Sequence, residues 1–147
     1  MLVASSVLST KFGSGRKVST FKPYVFLAVE RCITQMQIDY NNRKFKPVSN
    51  SDNGEVSTDM VFQYQQVGNV LTCTYNGKNI IKGHVIGLVD ETGCIQMSYH
   101  QVNRDGKLMT GICSSKPELI NGKIRLYETW QWTSGDQSEG VSILDEI

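Results

Sequence analysis

The 147 residues contain only three prolines and two histidines, and neither charge sign dominates: Lys+Arg 15 against Asp+Glu 14 leaves a formal net charge of +1. Balanced charge without blocks argues against the electrostatic footprint of a nucleic-acid binder and against a polybasic membrane patch. Long apolar runs are also missing. The longest near the start, YVFLAV at 24–29, is far short of the ~20 residues of a spanning helix, and what precedes it does not read as a signal peptide. The cysteines Cys32, Cys73, Cys94 and Cys113 stand singly, with no C-x-x-C pair and no histidine at ligand spacing, so no zinc site is expected. Free thiols in a cytoplasmic protein are the expectation, with one Cys94–Cys113 bridge left open because their strands read as neighbours. No G-x-x-x-x-G-K-S loop cradles a phosphate, and no cofactor is implied.

The chain has room for one domain. Residues 1–35 read as an N-terminal extension, Ser/Lys-rich and then briefly hydrophobic. This is either a tail or the product of a mis-called start, with an amphipathic anchor around 25–36 as the functional alternative. The domain is expected over 36–147. There the helical 3.6 period is absent, and short alternating segments recur between Gly, Asn and Asp, which is the pattern of antiparallel strands. Eight strands are predicted, over 43–48, 60–67, 70–75, 80–89, 93–102, 108–115, 124–132 and 140–146. Their edges are protected if the sheet closes, so the expected fold is an all-β, eight-stranded antiparallel up-and-down barrel, with a two-sheet sandwich as the alternative.

Loop length sets register, and register sets which side chains share a face. A Gly68-Asn69 turn places Gln66 opposite Leu71. An Asn76-Gly77 type I′ turn places Cys73 opposite Ile80. A four-residue loop over 90–93 sets His84 against Tyr99, a tight turn at Arg104 and Asp105 sets Tyr99 against Thr110, and a turn over 134–137 sets Trp130 against Val141 and Glu128 against Ile143. Glu118 is expected in a longer connection, and Arg104 in solvent. The inner face so assembled holds Phe62, Leu71, Ile86, Leu88, Ile95, Met97, Ile112, Leu126, Val141 and Ile143. The strand 80–89 fits least well, because Ile81, Val85 and Val89 make its other face nearly as apolar.

Polar groups interrupt this face. His84, Tyr99, Gln101, Thr110 and Glu128 sit among the apolar residues, with Trp130 and Trp132 beside Gln101 at one mouth. Aromatic walls with a few convergent polar groups suit a small organic ligand; a polar core satisfied within itself is the other reading. Glu128 needs a partner, because a buried carboxylate is costly, and His84 is the first candidate. A His–Glu pair could serve as a general base, but no Ser or Cys nucleophile is placed beside it, and His84 and His100 read as facing opposite ways. Enzymatic activity is not the expectation. A homo-oligomer is allowed by the reading.

The stretches "NRKFKPVSNSDNGEVS", "GHVIGLVDETGCIQMSYHQVN", "LMTGICSSKPE", "NGKIRLYETWQWTSGD" and "GVSILDEI" together resemble a family of small bacterial proteins that often carry the inherited label N-acetylglutamate synthase and are similar to avidin-like and calycin-like barrels in strand pattern. The resemblance covers nearly all of 36–147 and implies either a ligand-binding barrel or, from the label, an N-acetyltransferase. A synthase of that kind would be expected to hold acetyl-CoA on an α/β fold with a backbone nest for pyrophosphate, and the all-β pattern has no such element. Tyr99, Thr110, Ser114, Trp130 and Trp132 suit an avidin-like pocket, while no motif specifies biotin.

Overall fold

The computed structural model of the protein describes residues 37–147; the expected extension over 1–35, and Cys32 with it, lies outside them. Nine strands form one antiparallel sheet: β1 (Lys44–Asn50), β2 (Phe62–Gln63), β3 (Gln65–Val67), β4 (Val70–Tyr75), β5 (Ile80–Val89), β6 (Ile95–Asn103), β7 (Leu108–Ile120), β8 (Lys123–Trp132) and β9 (Glu139–Glu146), in the spatial order β2-β1-β9-β8-β7-β6-β5-β4-β3. From β3 to β9 each strand pairs with the next in sequence. Closure comes from the short run 62–67. It breaks at Tyr64, pairs through β2 with β1, and pairs through β3 with β4. The barrel is therefore nearly closed, and the predicted strand 60–67 serves both edges at once, leaving few unpaired edge groups.

The Gly68-Asn69 turn forms as read, with Gly68 left-handed and Gln66 opposite Leu71. Four other registers differ from expectation. The β5–β6 and β6–β7 hairpins each have three-residue loops, a turn closed from Gly93 N–H to Asp90 C=O and from Gly106 N–H to Asn103 C=O, followed by that glycine at φ 83 and 74. This is one residue fewer than the four-residue loop expected after β5 and one more than the two-residue turn expected after β6, and either change reverses the facing of the neighbouring strand. Val85 thus opposes Tyr99, and Gly111 takes the place expected for Thr110. The β8–β9 loop closes from Trp132 N–H to Ser138 C=O, with Gly135 and Gln137 at positive φ, so Glu128 faces Ser142 rather than Ile143 and Trp130 faces Gly140 rather than Val141.

The Asn-Gly expected to make a type I′ turn was the wrong one of two. Asn76-Gly77 lies in a longer excursion closed by paired Gly77 and Ile80 backbone groups, so Cys73 opposes Val85 rather than Ile80. The type I′ turn is at Asn121-Gly122, at φ 51 and 79, and it joins Ile120 directly to Lys123. Strand β7 therefore runs on to Ile120, and Glu118 is a strand residue that accepts a 2.7 Å hydrogen bond from the Tyr127 hydroxyl rather than a turn residue.

Of the predicted inner face, Phe62, Leu71, Ile95, Met97 and Leu126 are buried, whereas Ile86, Leu88, Ile112 and Val141 are about half exposed on the outer wall, and Ile143 is partly exposed there too. One end of the barrel is plugged by an aromatic cluster. Tyr40, Phe45 and Tyr64 have ring centroids 5.1 to 6.2 Å apart, and the Tyr40 hydroxyl donates to Gly93 C=O at 2.6 Å. The other end is the mouth, bounded by the turns after β4, β6 and β8 and by the segment 51–61 that leaves β1.

Candidate functional site

Large inward side chains on a tightly curled sheet need space on the strand beside them. Here glycine supplies it. A Cβ on Gly83 would fall 2.2 Å from the Tyr75 ring, one on Gly111 2.2 Å from the Tyr99 hydroxyl, and one on Gly140 2.3 Å from the Trp130 indole. Each ring occupies the space that a Cβ on the paired strand would need. The result is an internal cavity of about 70 Å³ lined by Tyr64, Tyr75, Val85, Met97, Tyr99, Gln101, Cys113, Glu128, Trp130, Trp132 and Ser142, and by Glu55 and Val56 from the loop after β1. Trp132 stands edge-on to both Tyr99 (5.3 Å) and Trp130 (5.9 Å), which gives the wall a rigid aromatic corner.

Glu128 projects inward from β8 between Ser115 of β7 and Ser142 of β9. Ser142 Oγ donates to Glu128 Oε2 at 2.7 Å. Among the described residues Oε1 accepts no hydrogen bond. The side chain keeps some accessible surface because it borders the cavity, yet it lies deep enough in the barrel that burial is the largest influence on its charge. Burial pushes its pKa up from 4.5 to about 7, with the Ser142 hydrogen bond opposing. The same burial, with Glu128 contributing negative charge, raises the Tyr64 hydroxyl and the Cys113 thiol.

His84 is not the partner of Glu128. Because β5 faces the opposite way from expectation, His84 lies on the outer wall directly across from His100, ring centroids 5.2 Å apart; the two histidines share a face. Thr110 is also outside, opposite His100, with its hydroxyl 2.7 Å from that of Thr133. The structure thus brings Tyr99, Gln101, Glu128, Trp130 and Trp132 together at the cavity and leaves His84 and Thr110 out. Sequence reading missed Ser142, Cys113 and Val85, which a correct loop count would have turned inward, and Glu55, for which a loop carboxylate gives no periodic signal. Among the described residues no group of three His, Cys, Asp or Glu could hold a metal ion.

At the mouth, Gln101 and Asn103 are 2 % and 6 % exposed. Gln101 Oε1 accepts from the Tyr75 hydroxyl at 2.8 Å, and Asn103 Oδ1 accepts from Lys107 N–H at 2.9 Å. Their amide nitrogens both donate to the Glu55 carboxylate, Gln101 to Oε2 and Asn103 to Oε1. The loop is further tied by Trp132 Nε1–H to Asn53 C=O at 3.3 Å and by Asn53 Nδ2 to Glu139 C=O at 3.0 Å.

Two of the three described thiols are buried. Cys73, Cys94 and Cys113 are free, so the Cys94–Cys113 bridge left open above is not formed, and burial pushes Cys73 up to about 11 and Cys113 up as well. Cys94 is the more accessible of the three. In a Cys32→Ser chain, a thiol-specific chromogenic disulfide should label Cys94 quickly in the native state, and Cys73 and Cys113 only after guanidinium unfolding. Fast native labelling of Cys113, read by peptide mass, would contradict this burial.

A nearly closed, antiparallel up-and-down barrel with an aromatic and polar cavity belongs to the class of small barrels whose interior is either filled by side chains or holds one small ligand. The family model described as "Avidin-like protein" matches residues 38–147, and the chain belongs to that family. No curated protein and no solved structure matches it.

Proposed function

We propose that the barrel binds a small organic molecule, held by the Trp130–Trp132–Tyr99 corner and by a hydrogen-bond donor directed to Glu128. The observation that carries this reading is the free Oε1 of Glu128, which borders the cavity while Oε2 is satisfied by Ser142. Barrel interiors that serve only as cores pair their polar groups internally; here an acceptor remains inside an aromatic-walled space. An amide, urea or amine N–H meets that need. Family membership is consistent with small-ligand binding.

Both tryptophans of the chain line the cavity, so their emission reports on it directly. A panel of small amides, ureas and amines screened by tryptophan fluorescence and melting temperature should yield a ligand whose affinity drops at least ~10-fold in Glu128→Ala, the loss of one charge-assisted hydrogen bond. Silence across the panel in both readouts, or ligands indifferent to Glu128, would overturn the reading.

A further inference from the structure

The chain has two histidines, and the fold sets them directly opposite one another on the outer wall. The strand pairing that does this is not free to slip: moving β5 or β6 by one residue would carry an imidazole into the barrel and turn Val85 or Tyr99, which line the cavity, out to solvent. The two rings are therefore held as a pair by the backbone. Their neighbours in line across the wall are Thr74 beside His84 and Thr110 beside His100, and the Thr110 hydroxyl pairs with that of Thr133 at 2.7 Å. Among the described residues neither histidine is ion-paired with a carboxylate. His100 is exposed and His84 half-buried, so both rings can be reached from solvent. Each neutral imidazole offers one nitrogen lone pair, and nothing in the wall takes it up.

From this pairing we propose that His84 and His100 chelate a borderline divalent metal ion of the Zn²⁺, Ni²⁺ or Cu²⁺ type, at a site on the outer wall that is separate from the cavity. The spacing fits. An imidazole nitrogen bonds such an ion at about 2.0–2.1 Å, which puts the ring centroid about 3.2 Å from the metal. Centroids 5.2 Å apart then subtend about 110° at a shared ion, close to the tetrahedral angle of zinc. Imidazole selects these ions over Mg²⁺ and Ca²⁺, which demand oxygen ligands. Among the described residues no third His, Cys, Asp or Glu completes a cluster here, so water takes the remaining positions. Lys82, on the same face of β5, opposes a cation only weakly because water screens its exposed charge. Once one histidine has bound, the second is already in place at high effective concentration, and the pair holds an ion that either ring alone would release. The bound ion clips β5 to β6 and favours the folded chain, because only there do the two rings meet.

Zinc chloride is the probe, titrated into the full chain with magnesium chloride as the control. The ring-proton resonances of both histidines should move together and saturate at one ion per chain, with no response to magnesium. His84→Gln and His100→Gln should each weaken zinc binding at least ~10-fold, the loss of a chelate to a single ligand, whereas Cys94→Ser should leave it unchanged. Should either glutamine variant melt lower than the native chain without metal, the rise in melting temperature that zinc produces is compared within each protein: it should be present in the native chain and absent from both variants. A shift of one histidine alone, binding as tight in the two variants as in the native chain, or its loss in Cys94→Ser would overturn the proposal and leave the pair two solvated side chains of the wall.

Discussion

Glu128→Gln should make the protein more stable than the native chain at pH 8, by at most about 3 kcal/mol, and no different below pH 4.5. The sign follows from the direction of the shift. In the unfolded chain the carboxyl titrates near 4.5, and inside the barrel near 7. Between those values the folded state holds a proton that the unfolded state has released, so stability falls as pH rises through the window. The full stability is present below 4.5 and the loss is complete above about 7. Glutamine has no charge to bury and can still accept from Ser142, so its stability should be flat across the same range once the native chain's other titrations are subtracted. Chemical denaturation of both proteins at pH 4, 6 and 8 measures the difference directly. Parallel pH profiles would mean that Glu128 is solvated in the folded state, and that would also undercut its proposed role as a buried acceptor.

A free carboxylate kept inside an aromatic cavity is a cost that a purely structural core would have no reason to retain. Leucine at this position would carry no proton to manage. Retained polar groups of this kind belong to sites, and on that physical ground Glu128, rather than the aromatic corner, is the centre of the proposed function.

How much of this was legible before the structure depends on which strand is asked. The strand positions, apart from the break at Tyr64 that makes nine strands of the expected eight, the antiparallel order and the mouth composed of Tyr75, Gln101 and Trp132 follow from alternation and turn residues, which are local. The faces of β6 and β8 were also readable, because their inward residues, Ile95, Met97 and Tyr99 on β6 and Ile124, Leu126, Trp130 and Trp132 on β8, are more apolar than the outward ones. The faces of β5, β7 and β9 were not. On β5 both faces are apolar, and on β7 and β9 the outward Ile112 and Val141 look more like core than the inward Gly111, Cys113, Gly140 and Ser142. Hydrophobicity points the wrong way there because the interior space is filled by rings from the neighbouring strands, and the residue that faces a ring must be small. A one-residue difference in loop length at each of these hairpins decided the register, and its effect on Glu128 was to exchange His84 for Ser142 as the partner. The Glu55 contact, by contrast, spans 46 residues from an irregular loop to β6, and no periodicity encodes it.

The ring-over-glycine arrangement leads to the second large effect. Gly83→Ala should destabilise the barrel by about 3 kcal/mol, since the new methyl would coincide with the Tyr75 ring and a close-packed wall has little give. The atoms nearest that methyl are all ring atoms of Tyr75. Removing the ring with Tyr75→Ala should therefore reverse the outcome: in that background Gly83→Ala should be neutral or stabilising by about 0.5 kcal/mol, as expected when alanine replaces glycine within a strand. The coupling between the two sites in a double-mutant cycle should then be about 3 kcal/mol, at the upper end of what contacting residues show. If instead the two substitutions add, the clash is with the backbone and the glycine is there for chain geometry. The cycle also reaches the mouth. Tyr75 is the group that orients Gln101, so Gly83→Ala, by displacing the ring, should loosen the Gln101 amide and weaken its hold on Glu55, visible as faster exchange of the Gln101 side-chain protons. In this fold the absence of a side chain on β5 is what fixes the direction of a hydrogen bond on β6.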